Sequence, residues 1–278
     1  MRRFLLLAFV FISFQLSAFA TWSVLAVDRS TGRVVSASAT CVNGADNLLM
    51  SAAAVIVPGK GVAACQAAAD NTHQNQMLVF QELQKGTDPR EIIELLAKDP
   101  MFQSRQFGIL DLQGRWAGHT GLNNGFVAQH MGGRVPGTEI FYEIQANSMR
   151  TGNVVPNAVK AFIAATGAIT DRVMAAMEAA DAAGGDQRCT CARPPVPDAN
   201  KEFPCTNRTT LIAYILMAEP HDTNGDSHNN GKYSMFINVS QPQEDHPSGI
   251  KPGEDLNPVK TLRMRYDAWR KAQPANFK

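Results

Sequence analysis

The chain has almost no net charge: 26 Lys+Arg stand against 25 Asp+Glu in 278 residues, a formal +1. No long block of like charge appears either, which excludes strong electrostatic capture of nucleic acid or of an anionic lipid surface. Beyond the N-terminal leader, no window approaches the roughly 18 apolar residues of a membrane-crossing helix. Metal-ligand patterns are incomplete. Cys189-x-Cys191 with Cys205 lacks a fourth ligand at zinc spacing. Asp222-Thr-Asn224-Gly-Asp226-Ser227 opens like a calcium loop, but Ser227 holds the glycine turn position and Tyr233 stands where the bidentate Glu belongs. No metal, no cofactor and no internal repeat are expected. What remains, at 45% hydrophobic and 18% charged, is a folded chain with enough residues for a sizeable core.

Arg2-Arg3, the apolar run Phe4 to Leu16 and the small residues of Ser17-Ala18-Phe19-Ala20 form a secretory leader, residues 1–20, ending in an acceptable cleavage site. The expected location is secreted or periplasmic, with no membrane contact after cleavage. Cutting after Ala20 makes Thr21 the first residue of the mature chain. Such a Thr carries a hydroxyl nucleophile beside its own α-amine, whose pKa is about 8. One residue then supplies both nucleophile and base.

The periodicities predict strands at Trp22–Val27, Arg33–Cys41, Gly61–Ala69, Arg105–Asp111, Gly114–Thr120, Ile140–Ala146, Thr209–Met217 and Tyr233–Val239. Helices are predicted over Gln74–Lys85, from Asp88-Pro89 through Leu96, over Asn157–Ala165 and over Ile169–Ala183, with Asp88 and Gly184-Gly185 as cap signals. Strands and helices gathered in runs point to α+β architecture with antiparallel sheets, not alternating βαβ units. The expected organisation is a main domain over 21–240, interrupted by a Cys/Pro-rich insertion at 189–207. A C-terminal extension, 241–278, carries a short amphipathic helix, Val259–Lys271.

From Thr21 onward the sequence resembles domain-of-unknown-function family 1028, placed with the N-terminal-nucleophile (Ntn) hydrolases. The resemblance rests on Thr21-Trp22-Ser23-Val24-Leu25-Ala26-Val27-Asp28, Gly59-x-Gly61 leading to Gln66, Asp99-Pro100, Arg105-Gln106-x-Gly108, Asp111 with Gly114-Arg115, Thr120-Gly121, Gln145-x-Asn147 and Ala183-Gly184-Gly185-Asp186. It covers Thr21 to Arg188 and the strand Thr209–Met217. Ala146 stands where the family has Gly, and the insertion follows Asp186. The resemblance implies a four-layer αββα sandwich, two antiparallel sheets flanked by helices, and hydrolysis of an amide-type C–N bond.

With Thr21 as nucleophile, the tetrahedral intermediate needs neutral, directional donors. Asn147 and Gln66, both at strand ends, are the candidates, although polar residues there ordinarily bond local backbone. His119, beside Thr120-Gly121, is a candidate to orient substrate or relay protons. Asp186 and Arg188 are candidates to bind a substrate carboxylate or to clamp the Thr21 amine. Five cysteines in an exported chain suggest at least one disulfide. Cys41 and Cys65, at corresponding strand ends, form one candidate pair; two of Cys189, Cys191 and Cys205 form another. The expected partner is a small-molecule or peptide-like amide, and self-association into a homo-oligomer stays open. A non-catalytic ligand-binding protein on the same sandwich is the rival class.

Overall fold

Successive side chains of a strand leave on opposite faces. In β1 (Thr21–Asp28) both sets are buried along the whole length, so the strand belongs in the middle of a sheet covered on both sides. A computed structural model places it there and describes residues 20–42, 48–125, 127–189, 208–225, 227–240, 247–274 and 277. Residues 1–19 of the expected leader lie outside these residues, as do Cys191, Cys205 and nearly all of the Cys/Pro-rich insertion.

β1 pairs antiparallel with β2 (Arg33–Thr40) on one side and β8 (Ile140–Asn147) on the other. With β7 (Gln129–Arg134), β9 (Ile212–Ala218) and β10 (Met235–Ser240) they form a six-stranded sheet ordered β10-β9-β2-β1-β8-β7. A second antiparallel sheet contains β3 (Ala54–Val57), β4 (Gly61–Ala67), β5 (Arg105–Asp111) and β6 (Trp116–Thr120), in that order. The fold is mixed α+β, two antiparallel sheets with helices.

The alternation of β1 divides the core. Trp22, Val24 and Ala26 pack with Phe162 of α4 (Val154–Ala164), Val173 and Met177 of α5 (Ile169–Ala182) and Leu262 and Tyr266 of α6 (Pro258–Lys271). Leu25 and Val27 turn the other way, onto Ile56, Val62 and Leu110 of the second sheet. The far face of that sheet, with Phe107 and Ile109, is covered by Val79, Phe80 and Leu83 of α2 (Gln74–Lys85) and Ile92 and Leu96 of α3 (Pro89–Leu96). Asp88 caps α3 by accepting from Arg90 N, with Pro89 in the first turn, and Asn257 caps α6 in the same way.

Three elements carried no usable sequence signal: a five-residue helix, α1 (Leu48–Ala52), the four-residue β3, and β7. β7 reads Gln-His-Met-Gly-Gly-Arg, a poor strand by propensity. Its glycines answer to packing: a Cβ on Gly132 would lie 2.3 Å from the Trp116 ring and one on Gly133 2.8 Å from the Tyr142 hydroxyl.

The cysteine pairing needs correction. Cys41 is bonded to Cys189, with Cα atoms 5.8 Å apart, and Cys65 is a free, buried thiol. Cys41 follows β2 in the larger sheet. Cys65 sits in the smaller sheet and points to its far face, against Val79 and Phe107. The two were never on facing sides. Burial pushes the Cys65 thiol up to about 12. Among the described residues no helix is long and apolar enough to cross a membrane.

Candidate functional site

Register, more than sequence proximity, assembles the site. Thr21 is directly opposite Thr40 on one neighbour and Asn147 on the other, so Thr40, Thr21 and Asn147 form one rung at the end of the six-stranded sheet. In the facing sheet Gln66 is opposite Gln106 and Gln106 opposite Thr120, which makes a second rung. The two rungs meet between the sheets, with Gln66, Gln106, Thr21 and Asn147 all within 4% of full burial.

Buried polar groups must find partners, and these find one another. Thr21 N donates to Asn147 Oδ1 (3.2 Å) and Thr21 Oγ1 donates to Thr40 Oγ1 (3.3 Å). Gln66 Nε2 donates to Thr21 O (2.9 Å), Gln106 Oε1 (2.7 Å) and, more weakly, Asn147 Oδ1 (3.2 Å). Its Oε1 accepts from Ser23 Oγ (2.6 Å), which is itself bonded to Ser38 Oγ. Gln106 Nε2 donates to Thr120 Oγ1 (2.9 Å) and Ala146 O (3.0 Å), and Thr120 Oγ1 is bonded to His130 Nδ1 (3.0 Å). Burial, and secondarily the nearby His119, holds the His130 imidazole below its ordinary pKa. A neutral ring there can accept the Thr120 proton.

The third component comes from the turn after α5. Asp186 is fully buried. A buried carboxylate requires ion pairing and hydrogen bonds, and Asp186 accepts from Cys41 N (2.8 Å), Arg188 N (2.9 Å) and Arg188 Nη2 (2.6 Å). So held, Arg188 extends Nη2 to Ala20 O (2.6 Å) and Thr40 Oγ1 (3.2 Å). The Cys41–Cys189 bond closes the same corner, one residue beyond Thr40 and one beyond Arg188.

Of the residues singled out from sequence, the fold brings together Thr21, Asn147, Gln66, Asp186 and Arg188. It separates His119. Phe107 and His119 are paired in register and share the far face of the smaller sheet. The His119 ring stacks on Phe102 at 3.6 Å and its Nε2 bonds Phe102 O (3.0 Å). The period of two turns Thr120, not His119, toward Thr21. Gln66 is in place but aimed at the protein: its amide bonds the Thr21 carbonyl, Gln106 and Ser23. Thr40, Gln106, Thr120 and His130 join the same network; Gln106 and Thr120 stand in the resembling motifs without a role that sequence assigns. Alternation of Ser36, Ser38 and Thr40 along β2 was the one available signal for Thr40.

Among the described residues no group of three or more His, Cys, Asp or Glu side chains is arranged to hold a metal ion. In the calcium-like loop, Asp222 accepts from Glu219 N and Ser234 N, and Asn224 bonds Ile56 O and Tyr233. Both therefore bond within the protein, while Asp226 lies outside the described residues.

A crystal structure of a protein from Silicibacter pomeroyi, which carries the DUF1028 family model, has the same fold. It superimposes with a TM-score of 0.62 at 21% identity, covering 93% of this chain and 91% of its own. Curated proteins give no match. The sequence model of DUF1028, described as a family of unknown function, matches residues 21–192 and so starts at the residue that heads β1. With that match spanning more than half of its length, the chain belongs to the DUF1028 family.

Proposed function

We propose that this is an exported amidohydrolase of the N-terminal-nucleophile kind, in which removal of a leader ending at Ala20 exposes Thr21 as nucleophile and base. On this reading the two sheets and their helical covers are the αββα sandwich of that superfamily, and the site of action is secreted or periplasmic. The observation that supports it best is the fixing of Thr21 at both its nitrogen and its hydroxyl, on Asn147 Oδ1 and Thr40 Oγ1, within the polar layer between the sheets.

The chemistry follows from those contacts. Asn147 Oδ1, an acceptor, keeps one N–H of the amine occupied and orients its lone pair toward the hydroxyl. Thr21 Oγ attacks the carbonyl carbon of a small-molecule or peptide-like amide while the amine takes the hydroxyl proton. The C–N bond breaks as that proton passes to the leaving amine, and water hydrolyses the resulting ester of Thr21. No metal or cofactor takes part.

The test begins with the intact mass of the exported protein, expected to start at Thr21. That protein is then assayed against amides, lactams and cell-wall peptides beside Thr21→Ala. At least about a thousandfold loss of turnover is expected from removing the nucleophile. A different N-terminus, or turnover unchanged in Thr21→Ala, refutes the proposal. Ligand binding without turnover in both proteins would identify a binding protein instead.

A further inference from the structure

The carbonyl oxygen of Ala20 accepts two short hydrogen bonds, from Arg188 Nη2 at 2.6 Å and from Thr40 Oγ1 at 2.6 Å. The carbon that bears this oxygen is joined to Thr21 N, so Thr21 Oγ reaches it by closing a five-membered ring of Oγ, Cβ, Cα, N and C. A substrate carbonyl attacked by the same hydroxyl must occupy nearly the same place once residue 20 has gone. We infer that Thr40 and Arg188 are the oxyanion donors of this site, and that the Ala20 oxygen marks where the substrate carbonyl oxygen binds; this inference rests on Thr21 being the nucleophile.

Hydrogen-bond accounting at Thr40 shows why its hydroxyl is suited to the role. Thr40 Oγ1 receives Thr21 Oγ1 (3.3 Å), Arg188 Nη2 (3.2 Å) and Val42 N (3.4 Å). A hydroxyl has one proton to give, and these incoming donors leave it directed at the Ala20 oxygen. Thr40 is fully buried at the end of a central strand, so the hydroxyl is pre-aimed and needs no reorganisation when charge develops. Arg188 adds a second, charged donor, paired with Asp186 at 2.6 Å. Asp186 fixes its guanidinium through Nε and Nη2. The two amides named from sequence are less suited. Asn147 shows its oxygen to Thr21, and Gln66 donates to protein acceptors on every side.

The electron flow is complete with these groups. As the Oγ–C bond forms, the carbonyl π pair moves to the oxygen held by Thr40 and Arg188, and the hydroxyl proton goes to the Thr21 amine. Collapse of the oxyanion expels the leaving nitrogen with that proton and leaves acyl-Thr21. Water repeats the sequence on the ester, releasing a carboxylic acid and restoring the hydroxyl.

The test uses the mature exported protein and a 3-acylamino β-lactone. This reagent acylates a hydroxyl through the same tetrahedral oxyanion and adds its whole mass, with the site located by peptide mapping. Periodate provides the control, since it cleaves a free terminal 2-amino-alcohol without forming a carbonyl oxyanion. Thr40→Val is expected to slow acylation of Thr21 by roughly 100- to 1000-fold, the usual effect of losing one such donor. Thr40→Ser, which keeps the hydroxyl, should restore most of the rate. Periodate cleavage should stay near wild type in both, while the thermal midpoint should fall by roughly several degrees in Thr40→Val, whose buried neighbours lose an acceptor, and hold in Thr40→Ser. Should Thr40→Val fail to fold, Arg188→Gln makes the same comparison and is expected to slow acylation similarly. Wild-type acylation that Thr40→Val and Arg188→Gln leave unchanged overturns the donor assignment alone. A periodate-sensitive Thr21 that the lactone never acylates overturns the nucleophile reading, and the donor assignment with it.

Discussion

Glu143, between the two sheets on β8, is fully buried and neither carboxyl oxygen has a hydrogen-bond partner. One of them lies 2.0 Å from where a Cβ on Gly108 would stand. Burial pushes this carboxyl well above the usual carboxylate range, so the folded chain holds it as the neutral acid where the unfolded chain ionises it. A raised folded pKa makes the group's contribution most favourable below the unfolded pKa, near 4.5. The contribution is lost as pH rises toward the folded value. In that window each pH unit removes about 1.4 kcal/mol. Glu143→Met keeps the length of the side chain and removes the acid. The unpaired polar group costs about 1–3 kcal/mol by itself, so the variant should be the more stable protein. Its advantage should widen as pH rises from 5 to 7, for as long as the wild-type carboxyl keeps its proton. Urea midpoints of both proteins at pH 5, 6 and 7 measure this directly. Parallel pH profiles, or a variant less stable at pH 7, would show that the carboxyl is hydrated or partnered and refute the argument.

Two further outcomes are expected. Gly108→Ala should destabilise by about 1–3 kcal/mol through overpacking against Glu143, and much of that loss should vanish in a Glu143→Ala background, where a double-mutant cycle reads the coupling. Breaking the Cys41–Cys189 bond by Cys41→Ser with Cys189→Ser should cost up to about 5 kcal/mol, the chain-entropy value for its 148-residue separation. Calorimetry with and without reductant checks this, and the Cys65 peptide should stay unalkylated until the protein unfolds.

Alternation and capping made most of the fold readable. Trp22–Val27, Arg33–Cys41 and Ile140–Ala146 announce three central strands, and Asp88-Pro89 announces the start of α3. Strand β7 could not be read, because its glycines are required by Trp116 on β6 of the other sheet and Tyr142 on the adjoining β8, a demand made only in three dimensions. The candidate cluster was legible at Thr21, which heads the expected mature chain, and where polar residues sit at element ends, at Asn147, Asp186 and Arg188. Thr40 was hidden because its part depends on lying across from Thr21 in register. His119 misled because the choice between it and Thr120 is one of strand face, which neighbouring residues of similar polarity do not disclose. The Cys41–Cys189 pairing was hidden for the same reason as Thr40: it joins two ends that only the folded sheet brings together.

The Cys41–Cys189 bond ties the residue after Thr40 to the residue after Arg188, so the end of β2 and the turn after α5 are covalently one corner. A proteolytic nick anywhere between those two cysteines would leave two fragments still joined at that corner, which separate only when a reductant is added.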